Sequence, residues 1–326
     1  MPSIWGFQMS AYEPTEFARE LRAHMQDWSA GACRRPPMWS HWTDGIHPDH
    51  RDLAREVQVA DEVKLHKYAA HLLSSQAFAL NLFLPFREGA RKALSERVSR
   101  TVGTRLLVEE VRFEWVPPGA VLGELEGDRP GEDEPATAVD VVLWSRLEGS
   151  GRAAVLVEVK LSEDSFTSCN GRNSRWNRRQ DVCEAAEVFF HDPNACYLRR
   201  PKGRRRDRRY WEIFAESHGS VRDAFPGADA GGPCPFAGNA QQPMRNLAIA
   251  RALEQEGMVD AAWFVLCAHD GNPDVPEHWN DWKEILPDPD MAPSLPASAV
   301  IDAGEAEGYG AWAAWMRERY RLGETQ

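Results

Sequence analysis

The sequence predicts an α/β protein in which a mixed sheet is flanked by helices. Three observations support this fold class: runs rich in β-branched residues end at turn-forming residues, other stretches repeat apolar residues at three- and four-residue spacing, and the two patterns alternate along the chain. The predicted central order is helix, strand, strand, strand, helix, strand. With 326 residues, 43% of them hydrophobic, the chain is long and apolar enough to bury one large core.

Helical spacing of apolar residues precedes and follows the predicted strands. It predicts helices over residues 13–30 and over roughly 50–86, where Asp49 is a candidate N-cap. Two further helices are expected toward the C-terminus, over GNAQQPMRNLAIARALEQEG, which ends at Gly257, and over EGYGAWAAWMRERY. These helices are the ones expected to flank the sheet.

Five segments have the β-branched and aromatic enrichment of strands. The first, LLVEEVRFEWV (106–116), stops at Pro117. The next two, ATAVDVVLWS (136–145) and AAVLVEVKL (153–161), are joined by RLEGSGR and form the best hairpin in the sequence. The remaining two are DAAWFVLCAH, which starts three residues after Gly257, and ASAVIDA. The hairpin is the element whose geometry the sequence specifies best.

The segments divide into an N-terminal helical region, residues 1–64, and a larger domain over 65–326. The larger domain contains an irregular, Cys- and Arg-rich insertion at 162–238. The N-terminus lacks a basic and apolar leader, and no later segment approaches about 18 uninterrupted apolar residues. We therefore expect a cytoplasmic protein that does not enter a membrane, while its oligomeric state is not indicated.

Charge is distributed unevenly along this acidic chain, whose formal net charge is −12. The segment from Gly171 to Arg209 carries twelve Lys or Arg against five acids, so it is +7 and the rest of the chain is −19. Its run PKGRRRDRRYW places Arg204, Arg205 and Arg206 beside two aromatic residues. Arginine forks bind phosphate oxygens and aromatic rings stack on exposed bases. The segment therefore favours nucleic acid as a partner over a merely solvated surface.

The predicted hairpin carries a carboxylate on each strand. Asp140 shares its strand face with apolar residues only, which is unlike a solvent-facing position. If the hairpin loop is centred on Gly149, antiparallel pairing places Asp140 opposite Glu158, and Ala138 opposite Lys160. Apolar residues then meet near the turn and charged residues meet at the other end of the hairpin.

Two carboxylates in this arrangement repel each other. Opposed residues have Cβ atoms about 4.5–5.5 Å apart, so a cation is needed to keep both carboxylates ionised. Lys160, diagonal to Asp140, supplies one positive charge, and Mg²⁺ or Mn²⁺ with oxygen ligands would supply the rest. The alternatives are an ion-paired triad without metal and, for the E-x-K of Glu158 and Lys160 alone, an ordinary solvated strand end.

The D of AVDVVLW and the E and K of LVEVKLSE resemble the motif of the PD-(D/E)XK nuclease superfamily, on the second and third strands of an α-β-β-β-α-β core. The segments SSQAFALNLFLP and QQPMRNLAIARAL resemble its restriction-endonuclease-like branch, and the similarity covers about residues 65–270. The resemblance implies a restriction-endonuclease-like fold and hydrolysis of DNA phosphodiester bonds with Mg²⁺ or Mn²⁺. It also implies that Asp140, Glu158 and the Val159 carbonyl hold the metal, and that Lys160 orients or helps to deprotonate the attacking water.

Two further regions extend or depart from this pattern. Many relatives carry another acid on the first helix or strand, but Gln76 stands at the helix position expected to be acidic, and Glu114 on the first strand is the candidate substitute. In the following helix Gln242, Arg245 and Asn246 share one face, where related enzymes contact the active site or DNA. A polar, solvent-facing side of a helix has the same pattern.

Four of the six cysteines fall within the insertion. No short CxxC pair is present, so the spacing differs from that of common zinc fingers. Four thiolates can nevertheless hold Zn²⁺ or ligate a [4Fe-4S] cluster. An irregular segment of this length needs a stabilising cross-link of this kind. Buried free thiols are the alternative. The four are Cys169, Cys183, Cys196 and Cys234, with 13, 12 and 37 residues between successive members.

Together these patterns predict a metal-dependent nuclease that acts on DNA. The rival prediction is a non-catalytic DNA-binding module stapled by a four-cysteine zinc or iron–sulfur site, and a Trp-rich protein-interaction scaffold is a third, since the chain has 13 Trp. The sequence has no G-x-x-x-x-G-K-[ST], H-E-x-x-H or G-x-S-x-G motif. Nucleotide-driven motors, zincin proteases and α/β-hydrolases are therefore disfavoured.

Overall fold

Four strands form a mixed sheet at the centre of the protein. The computed structural model describes residues 14–29, 37–124, 137–201 and 207–323. The strands in these ranges are β1 (Leu106–Trp115), β2 (Val139–Leu147), β3 (Arg152–Lys160) and β4 (Ala261–Ala268). Their order is β1-β2-β3-β4, with antiparallel β1–β2 and β2–β3 pairs and a parallel β3–β4 pair. The predicted mixed α/β class and these four predicted strands are confirmed.

Helices lie before, between and after the strands. The helices before β2 are α1 (Glu16–Trp28), α2 (Arg51–Ala60), α3 (Ser75–Phe83), α4 (Pro85–Glu88), α5 (Lys92–Val102) and α6 (Gly119–Leu122). Those between β3 and β4 are α7 (Gln180–Glu184), α8 (Ala186–His191), α9 (Tyr210–His218), α10 (Val221–Ala224) and α11 (Gln241–Gln255). Those after β4 are α12 (Asp274–Glu284), α13 (Ala297–Ala306) and α14 (Gly310–Tyr320). Within the described ranges, none combines the length and the apolar composition that crossing a membrane requires.

The strands β2 and β3 pair in the register expected for a loop centred on Gly149. Val142 lies opposite Leu156 and Trp144 lies opposite Ala154, which confirms the predicted register. Gly149 has a φ of 104°, which a residue without a Cβ adopts readily, and so it accommodates the turn. Because a shift by one residue would move every side chain to the other face, this register decides on which face each polar side chain of the hairpin emerges.

The sheet separates two apolar cores. Val141, Val155 and Val157 belong to the first core, together with residues of α3, α5, α13 and α14. Val142 and Leu156 belong to the second core, together with residues of α9, α11 and α12. This division follows from the alternation of side chains along a strand. Since β3 is covered on both faces, it is buried along almost its whole length.

The Cys- and Arg-bearing segment 162–238 packs into the second core. Phe189, Trp211 and Phe225 are buried there, and Trp211 stacks on Phe236 with ring centroids 5.3 Å apart. Burial of a large apolar side chain contributes about 2–3 kcal/mol. The helices of this segment, α7 to α10, have nine residues or fewer, as the irregular pattern predicted. Aromatic packing on the sheet layer, more than regular structure, holds the segment in place.

The prediction of one helix over residues 50–86 is wrong. After α2 ends, the Asp61 carboxylate pairs with Arg87 at 2.8 Å and accepts the backbone N–H of Phe113 at 3.1 Å. These contacts tie the chain to β1 and turn it away from the helix axis. The helical structure resumes with α3, where the Ser74 hydroxyl accepts a backbone N–H of the new first turn.

Two shorter predictions are also wrong, and α5 and α12 were not predicted. Asp49 does not cap α2: the N-cap is His50, and Asp49 lies in a 3₁₀ turn that precedes it. The segment ASAVIDA forms the start of α13 instead of a strand. Its alanines have high helix propensity, and Val300 and Ile301 are buried in the first core along with Ala297, at helical spacing.

Candidate active site

Asp140 lies where the pairing between β2 and β3 ends. The last paired residues at this end of the hairpin are Val141 and Val157. One residue further, Oδ2 of Asp140 accepts the backbone N–H of Val159 at 2.7 Å. A side-chain oxygen thus replaces the backbone acceptor that a continued ladder would have supplied. The Asp140 carboxylate is fixed between the two strands at the end opposite to the hairpin turn.

Glu158, on β3, is 1% exposed and accepts hydrogen bonds on both carboxylate oxygens. Its Oε1 receives Nζ of Lys160 at 2.9 Å and Nε2 of Gln242 at 2.6 Å. Its Oε2 receives Nδ2 of Asn246 at 2.8 Å. Donors of this kind replace the hydrogen bonds to water that a carboxylate loses on burial. The strand itself and α11 therefore set the position of the Glu158 carboxylate.

Lys160 is 7% exposed and lies on the same strand face as Glu158. Besides Glu158, its Nζ donates to Oε1 of Gln242 at 3.2 Å. Burial lowers the pKa of this ammonium, but the charges of Glu158, Glu163 and Asp140 outweigh burial and raise it above its ordinary value. Lys160 therefore keeps its proton at neutral pH and acts as a hydrogen-bond donor.

Glu114 lies near Asp140, close to the end of β1, where the backbone has an unusual conformation. Its φ of 47° lies in the left-handed region, which residues other than glycine rarely adopt. Its Oε1 accepts Nε2 of Gln76, on α3, at 2.9 Å. The two residues proposed at the imperfectly matched position are thus in contact, and both line the same cleft as Asp140.

The acids of the cleft are close enough to influence one another. Burial raises the pKa of Glu114, the hydrogen bond from Gln76 partly reverses the rise, and the charge of Glu158 adds to it. Burial likewise raises the pKa of Asp140 well above its ordinary value. The charges of Glu158 and Glu114 add to this rise, and the Lys160 ammonium opposes it. Negative charge is in excess at this end of the sheet.

These side chains line an open cleft of about 840 Å³. Its walls come from the segment before α3, the ends of β1, β2 and β3, the residues after β3 and the start of α11. Lys64 and Lys67 are exposed at its edge. No sequence pattern marks these two lysines, which belong to the short run KLHKY. The cleft thus joins a buried acidic floor to a rim that carries positive charge.

The donor chemistry of the cleft suits a hard divalent cation. Asp140 and Glu158 offer carboxylate oxygens, and Glu114 adds a third carboxylate against the buried ammonium of Lys160. In the parts of the chain that the structure describes, no three His, Cys, Asp or Glu side chains are arranged to hold a metal ion by themselves. Mg²⁺ typically takes one or two protein carboxylates and fills its remaining positions with water and phosphate oxygens. Two converging carboxylates meet that requirement.

Two of the three polar residues expected on one face of α11 contact the carboxylate cleft. Gln242 and Asn246 contact the buried glutamate, whereas Nε of Arg245 donates to Oγ1 of Thr137 at 2.8 Å. Thr137 in turn donates to Glu124, from its hydroxyl at 3.0 Å and from its backbone N–H at 2.7 Å. The polar face of α11 is therefore divided between the cleft and a buried network behind it.

The four cysteines of the insertion lie on the side of the second core. None of them is in a disulfide. Cys169, Cys183 and Cys234 are buried and Cys196 is partly buried. Burial raises the pKa of each of these thiols. They are separate from the carboxylate cleft, although Thr167, which lines the cleft, precedes the first of them by two residues.

The three arginines predicted to bind nucleic acid, Arg204, Arg205 and Arg206, lie outside the described residues. Close to them in the sequence, Nη2 of Arg199 pairs with Asp207 at 2.7 Å. Part of the positive charge of this segment is therefore neutralised within the protein.

A family described as Restriction Endonuclease associating with ARP matches residues 34–320, which is most of the chain. No curated protein and no solved structure matches. The matched range contains the sheet, the carboxylate cleft and the four cysteines of the insertion.

Proposed function

We propose, from the premise that the chain belongs to the family of restriction endonucleases associating with ARP, that it is a metal-dependent nuclease of the PD-(D/E)XK type acting on DNA. Family membership supports a nuclease-like function with DNA as the substrate. The observation that carries the finer proposal is the convergence of Asp140, Glu158 and Lys160 with Glu114 in one cleft. Chemistry at a site, more than the fold, decides function.

Asp140 and Glu158 would hold Mg²⁺ or Mn²⁺, together with the backbone carbonyl of Val159. Bound there, the ion would polarise the scissile phosphate, offset developing negative charge and lower the pKa of the attacking water. Two features support this assignment: hard oxygen donors, and a pKa of Asp140 that burial raises and that the charges of Glu158 and Glu114 raise further. A divalent cation would remove the repulsion between these carboxylates.

Lys160 would donate a hydrogen bond to the attacking water or to a phosphate oxygen. Its raised pKa supports the role of a donor more than that of a base, because the ammonium keeps its proton. The contacts with Glu158 at 2.9 Å and with Gln242 at 3.2 Å hold its Nζ in the cleft. A fixed ammonium stabilises the charge of a phosphate at the moment of bond cleavage without rearrangement.

Gln242, Asn246 and Gln76 would be positioning residues. Gln242 and Asn246 orient the carboxylate of Glu158, and Gln76 orients that of Glu114. Amide donors of this kind fix the geometry of metal-binding carboxylates, and their loss typically costs about 10–100-fold in metal affinity or activity. Glu114 would add charge at the cleft floor in place of the acid expected on the first helix.

DNA would approach over the positively charged edge of the cleft. Lys64 and Lys67 are exposed there and would contact phosphates. Arg204, Arg205 and Arg206 would add further phosphate contacts. Such contacts position a duplex or a single strand without reading its sequence.

The experiment is a DNA cleavage assay with and without Mg²⁺, on duplex and on single-stranded substrates. The parent should cleave at least one of these in Mg²⁺ and none in a chelator. Asp140→Asn should lose more than about 100-fold in cleavage rate, beyond the cost of removing an outer-shell partner. Asp52→Asn is the matched control, because Asp52 is an exposed acid on α2 and should retain the parent rate.

Two outcomes would contradict the proposal. Cleavage that is unaffected by Asp140→Asn would place the active site elsewhere or identify a contaminant. Salt-dependent DNA binding without cleavage under any condition would favour a non-catalytic DNA-binding module, in which the acidic cleft has a structural role.

A further inference from the structure

Cys169 and Cys183 approach each other through a short chain of contacts in the insertion. Nδ2 of Asn177 donates to Sγ of Cys183 at 3.4 Å and to the carbonyl of Gly171 at 3.1 Å. A Cβ added to Gly171 would lie 3.4 Å from Sγ of Cys169. The two sulfurs are therefore neighbours, although one follows β3 and the other lies on α7.

Cys196 and Cys234 lie in segments that contact this pair. The backbone N–H of Cys234 donates to the Cys183 carbonyl at 3.1 Å. Leu198, two residues after Cys196, lies 3.1 Å from the same Cβ position on Gly171. The thiols of Cys169, Cys183 and Cys196 all lie close enough to Cys234 to interact with it electrostatically.

Two of the four sulfurs also have a hydrogen-bond donor directed at them. The backbone N–H of Arg172 donates to Sγ of Cys169 at 3.4 Å. The Cys183 sulfur receives the side-chain amide of Asn177 at 3.4 Å. A neutral buried thiol needs few donors, whereas hydrogen bonds to sulfur stabilise metal-bound thiolates and tune iron–sulfur centres.

We propose that Cys169, Cys183, Cys196 and Cys234 ligate a [4Fe-4S] cluster. Four thiolates are the ligand set of such a cluster. A single Zn²⁺ would hold its four sulfurs about 3.8 Å apart, given Zn–S bonds of about 2.3 Å in a tetrahedron. Within the described ranges, however, no three of these side chains are arranged to hold one ion. A cluster is larger than one ion and spans a wider gap between the sulfurs.

The proposed role of the cluster is structural. The segment from Leu161 to α11 has only short helices, so four bonds to one centre would fix its path. Near one end, the Thr167 hydroxyl approaches Oε1 of Gln242 at 3.4 Å, within the carboxylate cleft. At the other, Cys196 lines a surface pocket with Arg199 and with Trp176, which is 47% exposed. The cluster would therefore connect the edge of the carboxylate cleft with this basic surface.

The test is the metal and sulfide content of the full chain, purified without oxygen and then incubated with equal amounts of ferrous and ferric iron and with sulfide. The expected result is a brown protein that retains about four irons and four acid-labile sulfides per chain after desalting. About one Zn²⁺ per chain in the purified protein, and no uptake of iron and sulfide, would overturn the cluster. Thiols that stay free and bind neither metal would overturn it as well.

Single substitutions test the ligand assignment. Cys183→Ala and Cys234→Ala should lose most of the bound iron and the visible colour, whereas Cys267→Ala should keep both. Cys267 is the matched control, since it is equally buried but lies on β4 outside the group. Should the ligand variants be recovered only as aggregates, the iron and sulfide content of the parent and of Cys267→Ala still decides the proposal. Full iron and sulfide in both ligand variants would contradict the assignment.

Discussion

Asp140 and Glu158 are carboxylates of one cleft, but their surroundings differ. Glu158 receives three donors, from Lys160 and from two amides of α11. Asp140 receives one backbone N–H, and burial together with two neighbouring carboxylates raises its pKa well above the ordinary value. A proton and a divalent cation therefore compete for Asp140, so that metal binding should weaken as the pH falls.

The raised pKa of Asp140 also predicts a pH-dependent stability for the metal-free protein. An acid whose pKa is higher in the folded state binds its proton more tightly there, so the free energy of unfolding falls as the pH rises from the ordinary value of 3.8 through the raised pKa. Asp140→Asn removes this fall in the free energy of unfolding. The metal-free variant should be more stable than the parent at neutral pH, by about 2 °C in Tm per kcal/mol relieved.

Thermal unfolding at a series of pH values checks this expectation. The advantage of Asp140→Asn should disappear below the ordinary carboxyl pKa, where both states of the parent are protonated. Mg²⁺ should raise the Tm of the parent and leave that of the variant unchanged. A variant that is less stable than the parent at every pH would show that Asp140 stabilises the fold.

The sequence predicts that Asp140, Glu158 and Lys160 lie near one another at one end of the hairpin, because strand alternation and hairpin register determine where side chains meet. These patterns did not predict the full set of partners. Glu114 enters the cleft through a φ of 47° that no pattern of residue types encodes. Asn246 was expected only to share a face with its neighbours on α11, and its hydrogen bond to Glu158 depends on how that helix packs.

At the scale of elements, the local sequence pattern was sufficient to predict a strand where a turn-forming residue followed it. The hairpin has Gly149 at its turn and apolar residues on both faces, so its strands were predicted to within three residues at each end. ASAVIDA was mistaken for a strand because a short apolar run is compatible with both structures. The helix is favoured because it buries one side of α13 in the first core. Long-range contacts of Asp61 likewise divided a helix that local spacing predicted as continuous.

The helices of the insertion should unfold together with the sheet, since they share its second core. Phe225→Ala would leave a cavity among aromatic side chains and should cost about 3–5 kcal/mol. Val188→Ala is the matched control, because Val188 is 36% exposed on the neighbouring α8 and should cost no more than about 0.5 kcal/mol.

Urea unfolding followed by circular dichroism and by Trp fluorescence measures both variants. A single transition, shifted to lower urea by Phe225→Ala, is expected for one cooperative unit. Two separate transitions, with only one affected by the substitution, would show that the insertion folds independently of the sheet.

For the whole molecule, the uneven charge is the property most relevant to DNA. The segment of net charge +7 belongs to a chain of net charge −12, so DNA binding should depend on a local positive surface. Neutralising Arg204, Arg205 and Arg206 together as glutamines should reduce the slope of log K against log salt by about 3, one for each phosphate contact. Fluorescence anisotropy with a labelled duplex, over a range of salt, measures the slope.

The control for this prediction is Arg105→Gln. Arg105 is an exposed arginine next to Leu106, beside the turn end of the hairpin and opposite to the cleft, and it pairs with Glu148. Its substitution should leave the slope unchanged. If the triple variant also kept the parent slope, the arginine run would not be a DNA-binding surface.

The central claim is that a metal held by Asp140 and Glu158 contacts the scissile phosphate, and sulfur substitution at that phosphate tests it most directly. The measurement is the rate of cleavage of DNA with a sulfur in place of one non-bridging oxygen, in Mg²⁺ and in Mn²⁺. Mg²⁺ prefers hard oxygen ligands. The expected result is a rate at least about 10-fold below that of normal DNA in Mg²⁺, with a much smaller loss in Mn²⁺. An equal effect of sulfur with both metals would contradict a metal contact at this phosphate.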